Sequence, residues 1–224
     1  MDNYSCAYCT VRACRTGETE RIPANCPMRR EGFFEGLLDE YRTEENRRFY
    51  LTSTAIEALG YCRWPRLRET VEFAKRMGYT RLGVGFCAGL HNEARIVCDV
   101  LRAQGFEVVS VVCKTGGVPK TAVGFDASWL TDADGAPIEP DAEQQRLLCS
   151  RMCNPIAQAT LLNEAHTQFN LCIGLCVGHD SLFYRYCDAP VTTLVAKDRV
   201  TGHNPVAAIY GAEGYFKRSL QTRA

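Results

Sequence analysis

A chain of 224 residues is long enough for one α/β domain with a small appendage and cramped for two full domains. Its 26 acidic and 26 basic side chains cancel, and no long basic block occurs, so the electrostatic footprint of a nucleic-acid or anionic-membrane binder is missing. No apolar run is long enough for a bilayer span; the longest, Leu171 to Val177, is soon broken by His179 and Asp180.

The start, Met1-Asp2-Asn3-Tyr4-Ser5-Cys6, has neither the basic opening nor the apolar core of a signal peptide. The expectation is a cytoplasmic protein with no membrane and no nucleic-acid partner. Thirteen cysteines are many for such a chain, and the count is odd. A reducing compartment and an odd count both disfavour structural disulfides. Metal, iron–sulfur cluster, redox chemistry and plain burial remain, and spacing must sort them.

In chain order, residues 1–30 are Cys-rich, turn-rich and poor in apolar periodicity. So short a piece cannot bury a core and needs a staple or a host. Thr43-Glu44-Glu45-Asn46 reads as a helix start, with Phe49, Ile56 and Leu59 as its apolar positions and Gly60 as its end. Pro65 starts a second helix, with Leu67, Val71 and Ala74 on one face and Gly78 as its stop.

From Arg81 to Cys87 the pattern is that of a buried strand. Gly89 to Gln104 is a helix closed by Gly105, and Phe106 to Cys113 a second strand. Strand–helix–strand within about 30 residues is a βαβ unit with a right-handed crossover. Lys114 to Glu143 reads as a long loop, with short structure near Trp129. Asn154-Pro155 opens a helix running to about His166. Phe169 to Cys176 is a third strand, Gly178 to Tyr186 a helix, Val191 to Ala196 a fourth strand, and Asn204-Pro205 opens a last helix.

These elements predict a Rossmann-like α/β fold with a parallel sheet in the order 2-1-3-4 and helices on both faces. Residues 1–30 form a knuckle; residues 31–224 form the α/β domain, with 31–78 a helical lead-in and 79–224 the sheet core. The switch point lies between the first and third strands, and open sheets of this kind bind ligands there, beyond the carboxyl ends of the strands.

Cys6, Cys9, Cys14 and Cys26 have the spacing C-x2-C-x4-C-x11-C. Two residues between cysteines let the chain turn so that both thiolates face one ion. Two further thiolates complete an S4 shell for zinc or the ligand set of a [4Fe-4S] cluster. The alternative is four free thiols in a loose tail. A metal would supply the stabilisation that the coreless segment lacks.

Cys87, Cys113 and Cys176 each end an expected strand, and in the proposed order those strands are neighbours. Strands lie about 4.8 Å apart, and thiolates around one zinc lie about 3.8 Å apart, from Zn–S bonds of about 2.3 Å. Three such strand ends can share a second metal or cluster, with Cys153, just before the Asn154-Pro155 helix start, as the fourth ligand. Buried cysteine is also a common small hydrophobe, and coincidence is the competing reading. Cys98 is expected in the core, and Cys62, Cys149, Cys172 and Cys187 as packing.

Other polar groups fall at the same edge: His91 at the start of the first crossover helix, Lys114 after the second strand, His179 after the third, and Lys197, Arg199 and His203 after the fourth. Cys176, His179 and His91 are the candidate catalytic residues, the imidazoles as proton donors. Gly83-x-Gly85 and the Gly116-Gly117 pair match no phosphate fingerprint, and no Walker A loop or nucleophile elbow occurs.

The N-terminal C-x2-C-x4-C is joined by Gly85-Phe86-Cys87-x-Gly89-Leu90, Cys153-Asn154-Pro155, Gly174 through Asp180, and Lys197-Asp198-Arg199 through His203-Asn204-Pro205. On these motifs the chain resembles, over nearly its whole length, a family of uncharacterised cysteine-rich proteins of archaea and anaerobic bacteria. The resemblance implies metal binding and an anaerobic setting, and implies no particular reaction.

Three functions compete. One is a cluster-dependent enzyme acting on a small thiol, sulfide or other anion. The second is a non-catalytic zinc-stapled protein that binds a ligand or partner. The third is an iron–sulfur electron carrier with a redox partner. The expected partner is therefore a small molecule or a redox protein, and oligomeric state is open.

Overall fold

The computed structural model describes residues 4–132 and 134–221; Met1–Asn3, the start of the N-terminal segment read above, lie outside them. The chain divides into two compact units, Met1–Tyr61 and Cys62–Ala224.

In the first unit, short 3-10 turns at Cys6–Tyr8, Ala13–Arg15 and Pro27–Arg29 precede helices α1 (Phe33–Arg42) and α2 (Glu44–Gly60), which pack on each other. Helix α1 is an element that the sequence reading did not define. Its apolar spacing, Phe33, Phe34, Leu37, Leu38 and Tyr41, is that of an amphipathic helix.

The second unit carries the sheet. Helix α3 (Arg66–Arg76) leads into β1 (Arg81–Phe86), then α4 (His91–Ala103) and β2 (Glu107–Val112). Helices α5 (Ala142–Leu148) and α6 (Pro155–Glu164) precede β3 (Phe169–Ile173). Helix α7 (His179–Tyr186), β4 (Val191–Val195), α8 (Pro205–Tyr210) and α9 (Lys217–Gln221) complete it. The four strands form one parallel sheet in the order β2-β1-β3-β4 with helices around it, the Rossmann-like arrangement expected.

The helix stops are local and legible. Gly78 and Gly105 adopt φ of 72° and 94°. Each lets the next amide fold back, Tyr79 N–H onto Ala74 C=O and Phe106 N–H onto Leu101 C=O, so the last carbonyls of α3 and α4 keep partners. Helix α4 buries Ala94, Val97, Cys98 and Leu101, one face at helical spacing. Helix α6 opens as its sequence promised, with Asn154 Oδ1 accepting from Ala157 N–H and Pro155 in the first turn.

Gly83 and Gly85 gain a reason that is not phosphate binding. A Cβ on Gly85 would lie 2.5 Å from the Phe183 ring of α7, and one on Gly83 would lie 1.9 Å from Asn170 Oδ1. Their missing side chains let Phe183, Asn170 and Leu162 pack close over one face of β1.

Strand β3 is shorter than Phe169–Cys176. It ends at Ile173 because Gly174 turns away with φ of 59°. A Cβ there would lie 2.0 Å from Leu90 Cδ1. Gly174→Ala combines left-handed strain of about 1 kcal/mol with overpacking of about 1–3 kcal/mol, and should lower the thermal midpoint by several degrees. Gly105→Ala is the control: φ is also positive but nothing lies within 4 Å of the new Cβ, so its loss should be smaller. Equal losses in thermal unfolding would mean that Leu90 yields freely.

Candidate thiol site at the strand ends

Four cysteines meet beyond the carboxyl edge of the sheet, and backbone hydrogen bonds bring them there. Cys87 N–H donates to Ile173 C=O and Cys113 N–H to Phe86 C=O, at 3.0 and 2.8 Å, so the ladder runs one residue past β1 and β2. Asn154 N–H donates to Cys113 C=O at 2.7 Å, which lashes the start of α6, and with it Cys153, to the end of β2. After the turn at Gly174, Cys176 offers its carbonyl to the N–H groups of His179 and Asp180 at the start of α7. Cys176 therefore sits three residues beyond its strand rather than at its end.

The sulfurs form a string of contacts, Cys87 to Cys113 to Cys153 to Cys176, with His179 also on Cys153. Proton sharing along the string sets the charges. Cys113 is flanked by two acceptors, Cys153 and Cys87, and its thiol is held protonated. The Cys113 thiol lowers Cys87 to about 5, helped by the Lys197 ammonium, whose Nζ is 3.0 Å from Cys87 Sγ. Cys153 is pulled far down by hydrogen bonds from Cys113, Cys176 and His179, and it raises His179 in return. Cys176 is pushed up by its bond to Cys153 and by burial, while Arg199, with a guanidinium nitrogen 3.2 Å from Cys176 Sγ, opposes this. Of the four sulfurs, Cys87 and Cys153 are the ones shifted toward the thiolate, and Cys113 and Cys176 the ones shifted toward the thiol. Cys176, although it precedes the start of α7, keeps its proton and shares it with the Cys153 sulfur.

Lys197 and Arg199 follow β4 on a loop held by local bonds. Asp198 accepts from Val200 N–H and Thr201 N–H, and Asp198 N–H donates to His203 Nδ1. Asp198 and His203 shape the loop, while the two cations reach the sulfurs.

A cavity of about 600 Å³ opens beside the string. Cys87, Cys113, Cys153, Cys176 and His179 line it, as do Lys114, Lys197 and Arg199. His91 does not join them. It is the first residue of α4, exposed, with its ring 5.7 Å from the ring of Phe86. Cys172 and Cys98 are core residues, at 1 % and 4 % exposure. Cys62 and Cys149 are exposed, which corrects their reading as packing; Cys187 is half-buried.

Sequence reasoning missed the cavity's outer wall. Lys120, Val123 and Phe125 of that wall come from the segment read as one long loop, which holds a 3-10 turn at Lys120–Val123, and Leu147 comes from α5, which follows it. The Asp141-x-x-Gln144 capping box at the start of α5 was the signal available.

In the N-terminal segment, Cys6, Cys9 and Cys26 line a separate concavity of about 250 Å³, and Cys14 is not part of its lining. Asn25 Nδ2 donates to Ser5 Oγ at 2.8 Å, drawing the neighbours of Cys26 and Cys6 together. Only Ala13 and Ile22 are buried among the described residues 4–30. Among the described residues, no group of three or more Cys, His, Asp or Glu side chains is set to hold a metal ion, at either place. No helix among them is long and apolar enough to cross a membrane.

A parallel sheet with thiols gathered past its switch point defines the class: an α/β protein with a cysteine-lined strand-end cleft. Residues 26–194 match the model of a family described as "Protein of unknown function (DUF1847)", and the chain belongs to that family. It is also similar to "Uncharacterized protein MJ0455" of Methanocaldococcus jannaschii, 38 % identical over 216 residues, spanning 96 % of this chain and 98 % of that one. The family match runs from Cys26 through Leu194 and so contains the whole thiol string.

Proposed function

We propose that the chain is a metal-binding protein whose main centre is formed by Cys87, Cys113, Cys153 and Cys176, holding zinc or an iron–sulfur cluster. The observation that carries this is the string of four thiols from four separate segments that lines one cleft. Two of them already favour the thiolate, the form that ligates. The donor set is soft and suits zinc or iron–sulfur. Lys197 and Arg199, each on a ligand sulfur, would offset the negative charge of the thiolates. When bound, the metal supplies Lewis acidity or electrons. His179, raised by Cys153, holds a proton at the cleft and would deliver it to a bound substrate.

The presence of a cleft beside the thiols favours a metal-dependent enzyme acting on a small thiol, sulfide or other anion over a pure electron carrier, which needs no substrate cavity. Anaerobic purification followed by metal and acid-labile sulfide analysis tests the reading. A brown, sulfide-bearing protein means a cluster and a colourless, zinc-bearing one means zinc; a chain with no metal in either preparation refutes it.

The same proposal assigns Cys6, Cys9, Cys14 and Cys26 to a second, stapling metal. Cys9→Ala should then release one metal equivalent and speed tryptic cleavage at Arg12, Arg15 and Arg21, while the sheet unit keeps its thermal midpoint. The segment has too few buried residues to stay ordered unaided. Unchanged metal and unchanged cleavage would remove the staple from the proposal.

A further inference from the structure

The cavity beside the thiols has a second wall of different chemistry. Besides the sulfurs, Val123, Phe125, Leu147, Met152, Ile156 and Leu182 line it. Val123 is 65 % exposed, and Leu147, Ile156 and Leu182 are also exposed, so this is apolar surface without a cover. Four basic side chains, Lys114, Lys120, Lys197 and Arg199, line the same space, and no carboxylate does among the described residues.

Two of the cations are committed to sulfur, Lys197 to Cys87 and Arg199 to Cys176. Lys114 and Lys120 instead rest their ammonium groups on backbone carbonyls of the outer wall, Arg151 and Leu147, and each ammonium keeps N–H donors to spare. Lys120 also lies 5.2 Å from the Phe125 ring centre, at the apolar end. The positive excess survives loading of the thiols with metal. Four thiolates on a dication leave about two negative charges, fewer than the four basic side chains supply.

Volume excludes the smallest ligands. About 600 Å³ is many times the roughly 30 Å³ share of one water, so sulfide or a bare inorganic anion would leave the apolar wall wet. It lies within the range of small-molecule sites, about 300–1,000 Å³. From charge, wall and volume together we infer that the cavity takes an organic anion with a contiguous apolar body. Its acidic group sits on Lys120 and Lys114, its body lies on the Val123–Phe125–Ile156 wall, and its reacting end faces the thiols. This rests on the reading of the thiol string as the reactive side of the site, and narrows its substrate from any anion to an amphipathic one.

Calorimetric titration of the full, anaerobically purified chain tests this, with sodium hexanesulfonate as probe and sodium sulfate, hexylammonium chloride and hexanol as controls. Hexanesulfonate should bind saturably, sulfate at least tenfold more weakly, and hexylammonium and hexanol without detectable saturation. Lys120→Ala and Val123→Asp, both far from any metal ligand in sequence, should each weaken hexanesulfonate at least tenfold with metal content unchanged. Equal affinity for sulfate, equal affinity for hexanol or hexylammonium, or full affinity in both variants overturns the inference. Metal analysis of the same samples separates the two readings. Metal-loaded protein that ignores hexanesulfonate overturns this inference alone. Metal-free protein that binds it selectively supports this inference and overturns the metal assignment.

Discussion

A Cys153→Ser variant is expected to lose about one metal or cluster equivalent from the sheet unit, while Cys172→Ser retains it. Cys153 is the sulfur that touches Cys113, Cys176 and His179, so its removal breaks the string at its most connected point. Serine keeps the volume and the hydrogen-bond geometry but replaces a soft donor by a hard, neutral hydroxyl that does not compete for zinc or iron. Cys172 pairs with Gly85 across the β1–β3 ladder and lies in the core, at 1 % exposure. The burial that pushes its thiol up to about 11 also keeps it out of the cleft. The two variants carry the same change in cysteine count, so elemental analysis after anaerobic purification reads position alone. Circular dichroism checks that both remain folded. Equal metal content in the two would return the strand-end cysteines to the role of small hydrophobes and leave the N-terminal segment as the one candidate centre.

The sheet was legible because its signals are local. Gly78 and Gly105 stop α3 and α4 through their own backbone freedom, and Asn154-Pro155 opens α6 through a cap within three residues. The register that brings Cys87 beside Cys113 then follows from β1 and β2 ending on the same row, Phe86 opposite Val112. What stayed hidden depends on contacts distant in sequence. Nothing around Gly174 announces that Leu90, more than eighty positions earlier, needs the space its Cβ would fill, so β3 was drawn too long.

The charge pattern of the site was equally unreadable. Which of the four thiols ionise depends first on hydrogen bonds among cysteines from four separate segments, and then on Lys197 reaching Cys87 from the loop after β4. Cys176 opens the approach to α7, yet it keeps its proton, because its thiol donates to Cys153, whose thiolate is stabilised by three such bonds. His91 shows the converse error. It opens a helix at the correct edge, but its ring lies against Phe86 instead of in the cleft.

In the metal-stripped, reduced protein, Cys87 is expected to react with iodoacetamide at pH 6.5 as if fully ionised, and Lys197→Met should move its reactivity midpoint to higher pH and slow it about twofold to fourfold at that pH. The sign follows from which form attacks. Only the thiolate is nucleophilic, so the rate climbs with pH through the thiol's pKa and then levels off. With Cys87 lowered to about 5, the plateau is reached by about pH 6. The hydrogen bond from Cys113 is the largest cause and survives the substitution. The Lys197 hydrogen bond and its charge are both lost, while the burial that opposes ionisation remains. A midpoint raised past the assay pH then shows directly as a lower rate, and the full pH profile reads the shift itself. Methionine keeps the lysine chain as far as Cε, the atom 3.9 Å from the would-be Cβ of Gly174, so that part of the packing is kept while the ammonium is removed. Peptide mapping by mass spectrometry follows Cys87 separately from Cys98, whose thiol burial pushes up and which should stay unlabelled in both proteins. A wild-type midpoint above pH 8, or identical profiles in the two proteins, would mean that Lys197 does not hold Cys87 as a thiolate, and the pairing of cation and sulfur across the cleft would have to be abandoned.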